Sequence, residues 1–371
     1  MMECENKRLL AKEGLQNLIL ALQTLDYVVI GPKINQEAIV YEEINSLEDL
    51  PRGWTDLQAA GTYRLKKRDD DAYFGYAVGP RSLMQYLYPP RQLVATATRD
   101  GQRWEFEAIE NVDQKYAFLG VRACEIAAMR VQDRVFLEGI YVDPLYAKRR
   151  ESAFIVAVNC TMAAPTCFCT SMQTGPGCNE GFDLALTELA DAFVVEAGSG
   201  KGEKILNDLP SSSVTAADLD QAQKLQQQAV EQISKTMNPV NLREDLLENL
   251  AHDRWEETAK RCLSCANCTM VCPTCFCSTV EEVSDLSGDN IERQRNWDSC
   301  FNIDFSYQNG AIVRNDIRSR YRQWLTHKLA TWHDQFDQSG CVGCGRCITW
   351  CPVGIDLTEE VAVIREKKRS E

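Results

Sequence analysis

Two cysteine strings in the last third of the chain constrain its fold more than any other feature. One is CLSCANCTMVCP, with Cys262, Cys265, Cys268, Cys272 and Pro273; the other is CVGCGRCITWCP, with Cys341, Cys344, Cys347, Cys351 and Pro352. Both read C-x2-C-x2-C-x3-C-P, the spacing that holds cubane iron–sulfur clusters. Three thiolates at i, i+3 and i+6 in a tight loop reach three corners of one cube. The fourth follows a helical turn later, faces away and reaches the neighbouring cube. The spacing therefore predicts one [4Fe-4S] centre on Cys262, Cys265, Cys268 and Cys351, and a second on Cys341, Cys344, Cys347 and Cys272. Zinc knuckles would show two CxxC pairs instead. Pro273 and Pro352, without an amide donor, should end each ligand loop.

Composition narrows what such a chain can do. At 371 residues it has room for two or three domains with cores of their own. Its net charge of −14 argues against a nucleic-acid binder, which would be basic. The start, MMECENKRLLAKEG, is charged, and the apolar run Leu18–Leu22 is too short for a signal or a membrane span. For an unexported chain with 17 cysteines, metal ligation is a better explanation than disulfides. The expectation is a cytoplasmic protein without a membrane span.

The fold class read from the pattern is α+β. Residues 1–212 should form a mixed α/β domain, opening with a helix along Leu10, Leu15, Leu18, Leu22 and Leu25. Strand-like runs follow at Tyr27–Ile30, Ala38–Tyr41, Tyr63–Leu65, Tyr116–Val121, Ala153–Val158, Leu184–Leu189 and Phe193–Ala197. Asp100-Gly101 between Gln92–Thr98 and Trp104–Ile109 predicts a hairpin. Residues 213–255 read as a helical connector, with Thr215 and Asp218 as a capping pair and helical spacing to Met237. Residues 256–371 read as a mainly helical domain with a ferredoxin-type dicluster core, interrupted by an inserted segment at 278–340. The second half of that segment, Ile312 to Phe336, reads as helix.

A second group of cysteines lies in the first domain. Cys124 and Cys160 each follow an apolar strand-like run, in AFLGVRAC and AFIVAVNC. If those strands are parallel neighbours, both thiols emerge at the carboxyl edge of the sheet, where open α/β sheets place ligands. Cys124 would also stand at a helix N-terminus, where the dipole favours the thiolate. Cys167 and Cys169 follow within Pro165-Thr166-Cys167-Phe168-Cys169, a word repeated as Pro273-Thr274-Cys275-Phe276-Cys277. Two readings are open. Cys124, Cys160, Cys167 and Cys169 hold a third [4Fe-4S] cluster, with Cys178 able to replace one of them; or Cys124 and Cys160 are core cysteines. Cys275, Cys277 and Cys300 form an auxiliary site or only shield the dicluster core, the second being favoured, and Cys4 is incidental. No GxGxxG dinucleotide fingerprint occurs, and the AGSGKG stretch at 197–202 lacks phosphate-loop spacing.

Taken together, GVRACEIAAMRVQDRVF, NCTMAAPTCFCTSM, RCLSCANCTMVCPTCFC, RQRNWDSC and CVGCGRCITWCPVGID resemble the four-iron dicluster family. That family contains the β subunits of soluble NAD(P)-linked nickel–iron hydrogenases and the A subunit of anaerobic sulfite reductase. GWTDLQAAGTYRL and FGYAVGP extend the likeness over nearly the whole chain. The family's usual GVRPC appears as GVRAC, with Ala123 for proline and Cys124 retained. The resemblance implies an electron-transfer subunit without catalytic residues of its own. It would stand between a flavin- and NAD(P)-binding subunit and the hydrogenase large and small subunits; the alternative is the sulfite reductase A subunit. A chain with clusters but no flavin or nicotinamide site must exchange electrons with a subunit that has one.

Overall fold

The first half of the chain is rich in strands, some of them buried apolar runs such as Phe154–Val158 and others exposed such as Arg103–Ala108. In the computed structural model, which describes residues 6–110, 112 and 114–366, these are β1 (Lys7–Ala11), β2 (Tyr27–Asn35), β3 (Ala38–Glu43), β4 (Trp54–Ala59), β5 (Thr62–Lys67), β6 (Arg91–Asp100) and β7 (Arg103–Ala108). There follow β8 (Lys115–Val121), β9 (Phe154–Val158), β10 (Leu184–Glu188), β11 (Ala192–Ala197) and β12 (Ser211–Ser213), and, far later, β13 (Ser278–Ser284) and β14 (Asn290–Trp297). Cys4 lies outside the described residues.

Eight strands form one sheet in the order β12-β1-β11-β10-β9-β8-β2-β3. Its centre is parallel, β2 with β8, β8 with β9 and β9 with β10, and the flanking pairs are antiparallel. All five residues of β9 and of β10 are buried, as parallel strands covered on both faces require. Leu15, Leu18, Ile19 and Leu22 of helix Gly14–Thr24 share one core with Val156 and Leu186. Ile126 and Met129 of helix Ala123–Phe136 share another with Phe118 and Ile155.

Three local expectations change. The opening helix runs only from Gly14 to Thr24, because pairing with β11 and β12 draws Lys7–Ala11 into the sheet. The capping box of Thr215 and Asp218 forms, but its helix stops at Gln232 rather than Met237. The inserted segment 278–340 contains strands as well as helix. There β14 pairs with β6, Ile291 opposite Ala97, completing a four-stranded sheet β13-β14-β6-β7. The C-terminal part is thus mixed rather than mainly helical. Its helices, among them Leu242–Glu248, Arg254–Arg261, Ile317–Thr326 and Leu357–Glu366, pack around Trp255, Trp324, Leu325 and Leu329. No helix among the described residues is long and apolar enough to cross a membrane.

Candidate metal centres

The two cysteine strings adopt the same backbone conformation. Ser264 and Ala266 in the first have φ of 54° and 65°; their counterparts Gly343 and Gly345 have 66° and 77°. In each, the amide two residues after the first cysteine points at its sulfur: Ser264 N to Cys262 Sγ and Gly343 N to Cys341 Sγ, both 3.4 Å. Each loop then enters one helical turn, Asn267–Met270 and Arg346–Thr349, which carries the third cysteine. A left-handed residue before and after the second cysteine winds three thiols around one centre while turning backbone amides toward sulfur. Such amides stabilise thiolates and tune the potential of a bound cluster.

The fourth cysteine of each string lies near thiols of the other as well as of its own. Cys351 lines one apolar cavity together with Cys262, Cys265 and Cys268, and with Cys347 of its own string, under Tyr321 and Trp324. Cys341, Cys344 and Cys347 each lie within range of the charge on Cys272. The two groups adjoin through Cys268 and Cys347. Among the described residues no three His, Cys, Asp or Glu side chains converge so as to hold a single metal ion. A cubane asks for a different arrangement, one thiolate at each iron corner.

The third group is assembled where the sheet meets the second cysteine string. β8 and β9 are parallel neighbours, so Cys124 and Cys160 leave the sheet at the same edge. Cys167 and Cys169 lie within charge range of Cys160, and both reach Cys344; Cys124 also faces Cys169 and Cys344. Cys178 stands beside Cys160, its amide donating 2.7 Å to Asn159 Oδ1. Burial pushes the Cys169 thiol up to about 12 and holds Cys124 well above its ordinary value. The expected lowering of Cys124 by the helix N-terminus is overridden by burial of its side chain. Thiols in such a setting ionise only against a bound cation, which is what metal ligation supplies. Arg122 fits an anionic group at this place. It is 1% exposed and gives Nη2 to Phe74 O and Tyr76 O, while its Nε and Nη1 have no partner beside Cys160 and Cys178.

Several participants escaped the reading by spacing. The repeat is longer than the PTCFC word: Asn159-Cys160-Thr161-Met162 recurs as Asn267-Cys268-Thr269-Met270 at the same offset. The two copies flank the second cysteine string from different sides. Thr166 Oγ1 lies 2.9 Å from Thr349 Oγ1, and Thr274 Oγ1 lies 2.7 Å from Gly340 O. Three buried cations stand near the thiols, Arg122, Arg346 and Lys328; Lys328 belongs to a basic run over residues 291–328 whose pattern reads as a solvated helix surface, and its 3% exposure overturns that reading. The other two stand inside the motifs themselves, in GVRAC and CGRC. Arg346 forms a fully buried pair with Glu125 at 2.7 Å, and Glu125 accepts from Tyr41 Oη at 2.7 Å. Cys275 sits against Cys272 and Cys277 against Cys300, while Phe276 packs edge-on to Trp332 and Phe136.

Comparison with known proteins follows the same residues. Residues 261–355 match the family described as a 4Fe-4S dicluster domain. Over 333 residues, 88% of this chain and 96% of the other, the sequence is 30% identical to sulfhydrogenase 2 subunit beta of Pyrococcus furiosus. No solved structure matches the chain.

Proposed function

Because the chain belongs to the family of sulfhydrogenase β subunits, we propose that it relays single electrons through three [4Fe-4S] centres within a hydrogenase complex. The centres are held by Cys262, Cys265, Cys268 and Cys351; by Cys272, Cys341, Cys344 and Cys347; and by Cys124, Cys160, Cys167 and Cys169. The complex partners are a flavin- and NAD(P)-binding subunit at one end and the large and small hydrogenase subunits at the other. Bound cubanes supply one-electron chemistry. The chain's own residues fix the thiolates, aim amides at sulfur and surround the thiols with side chains such as Tyr321, Trp324 and Trp332.

What supports this reading is Cys344, which shares one buried cluster with Cys124 and Cys169, so that the proposed second and third centres adjoin. Iron and sulfide analysis of the anaerobically purified chain should give about 12 iron, against about 8 if only the two cysteine strings bind clusters. Cys167→Ser should remove one cluster's spectroscopic signal and leave the other two. Full iron in that variant would make Cys167 a structural thiol and end the third-centre assignment.

A further inference from the structure

Lys328 is 3% exposed, and its ammonium points at the crossing cysteine. Its Nζ donates to Cys272 Sγ at 3.3 Å, to Thr274 Oγ1 at 3.0 Å and to Gly340 O at 3.1 Å. With Cys272 ligating as a thiolate, those three partners fix its charge by hydrogen-bond count. Gly340 O can only accept, and so can a ligand thiolate at Cys272. The Thr274 proton is directed to Gly340 O or to Cys272 Sγ, so its oxygen is left to accept from Lys328. A nitrogen with three acceptors and no donor carries three hydrogens and is the cation. None of these acceptors is a carboxylate. Arg346, by contrast, has its charge offset by Glu125.

The backbone is bent to bring Lys328 there. The helix Ile317–Thr326 does not continue regularly; it passes through a π-helical turn, His327–Thr331, before helix Trp332–Phe336. Such turns insert one residue and are frequent at functional sites. This one carries Lys328, with Gly340 N closing on Lys328 O at 2.8 Å and the Trp332 ring centroid 5.7 Å from Nζ. Burying a cation without a carboxylate is costly and persists only where an anion compensates it.

We propose that Lys328 sets the reduction potential of the centre held by Cys272, Cys341, Cys344 and Cys347, an inference that rests on the ligand assignment above. Reduction adds a negative charge to that centre, so a fixed cation on one of its ligands stabilises the reduced form and raises its potential.

The experiment is an EPR-monitored redox titration of the full chain with its clusters, in Lys328→Gln, Lys328→Arg and Cys272→Ser. Lys328→Gln keeps donors but removes the charge. It should lower the reduced-to-oxidised ratio of one centre at least tenfold at fixed ambient potential, 59 mV for one electron, and leave the others unmoved. Lys328→Arg should hold the ratio within about twofold. An unchanged ratio in Lys328→Gln, or an equal fall in Lys328→Arg, overturns the proposal. Should Lys328→Gln lose the cluster, iron content decides: full iron in Lys328→Arg supports a charge requirement, and loss in both variants reduces Lys328 to packing. Cys272→Ser separates the two layers of the argument. If it leaves iron and spectra untouched, the ligand assignment has failed and the inference falls with it. If it alters one centre that Lys328→Gln does not, only the lysine inference is wrong.

Discussion

Gly343 and Gly345 differ from Ser264 and Ala266 although the four share left-handed backbone angles in equivalent loops. Loop conformation alone therefore does not demand glycine in the second string. Crowding does. A Cβ on Gly345 would lie 2.4 Å from Thr166 O, and one on Gly343 would lie 2.7 Å from the Cys169 backbone. The missing side chains let the 165–169 loop, with its two cysteines, lie directly on the second string. Gly345→Ala should cost about 2–4 kcal/mol, from left-handed strain plus a contact the backbone cannot relieve. Ala266→Gly, at the matching position, should change stability by less than about 1 kcal/mol, since glycine is at ease there. Anaerobic denaturant unfolding of the two variants measures both. Similar effects at the two positions would mean that the loop contact contributes nothing.

At the scale of elements, what the sequence discloses depends on how local the cause is. The 91–108 hairpin was legible because Asp100-Gly101 is a turn signal, and Gly101 takes φ of 62° as that turn needs. The strands β8 and β9 were legible as buried apolar runs, and their cysteines as edge groups, because both properties belong to a few consecutive residues. β14 was not legible. Its reason for being a strand is β6, nearly two hundred residues earlier, and its own composition (Glu292, Arg293, Gln294, Arg295) is that of an exposed segment. β1 likewise owes its extension to β11 and β12. The π-helical turn at His327–Thr331 has no local marker either, yet it has a mechanical consequence. One surplus residue lies there, so removing one restores a regular helix and keeps Trp324 and Trp332 on their present faces. Removing a residue from the regular part turns everything beyond it by about 100°. Deletion of Ala330 should therefore lower the thermal unfolding midpoint far less than deletion of Gln323. Equal losses would show that the turn is not a one-residue insertion held for its geometry.

Across the whole molecule, the thiol groups occupy the seam between the large sheet and the C-terminal helices, and their surroundings change along it. Cys265 is exposed, and its neighbour Leu263 is 62% exposed, so the first group opens toward the surface. Cys344, at 8%, is enclosed between the sheet edge and the Arg346 turn. Cys268 and Cys347 of the first two groups line one cavity, and Cys344 of the second packs with Cys124 and Cys169 of the third. In the proposed relay the first and third centres connect through the second. A series of this kind makes a specific demand on kinetics. Loss of an end centre removes one exchange partner, but loss of the middle one separates everything on its two sides. In the proposed complex, Cys344→Ser should abolish coupled turnover between NAD(P)H and the terminal catalytic centre. Half-reactions with artificial dyes at either end should persist, because each end keeps its own subunit. The isolated chain should show neither half-reaction. Coupled turnover surviving in a Cys344→Ser complex verified to lack the middle cluster would mean that electrons bypass it, and the proposed series would then not be the route.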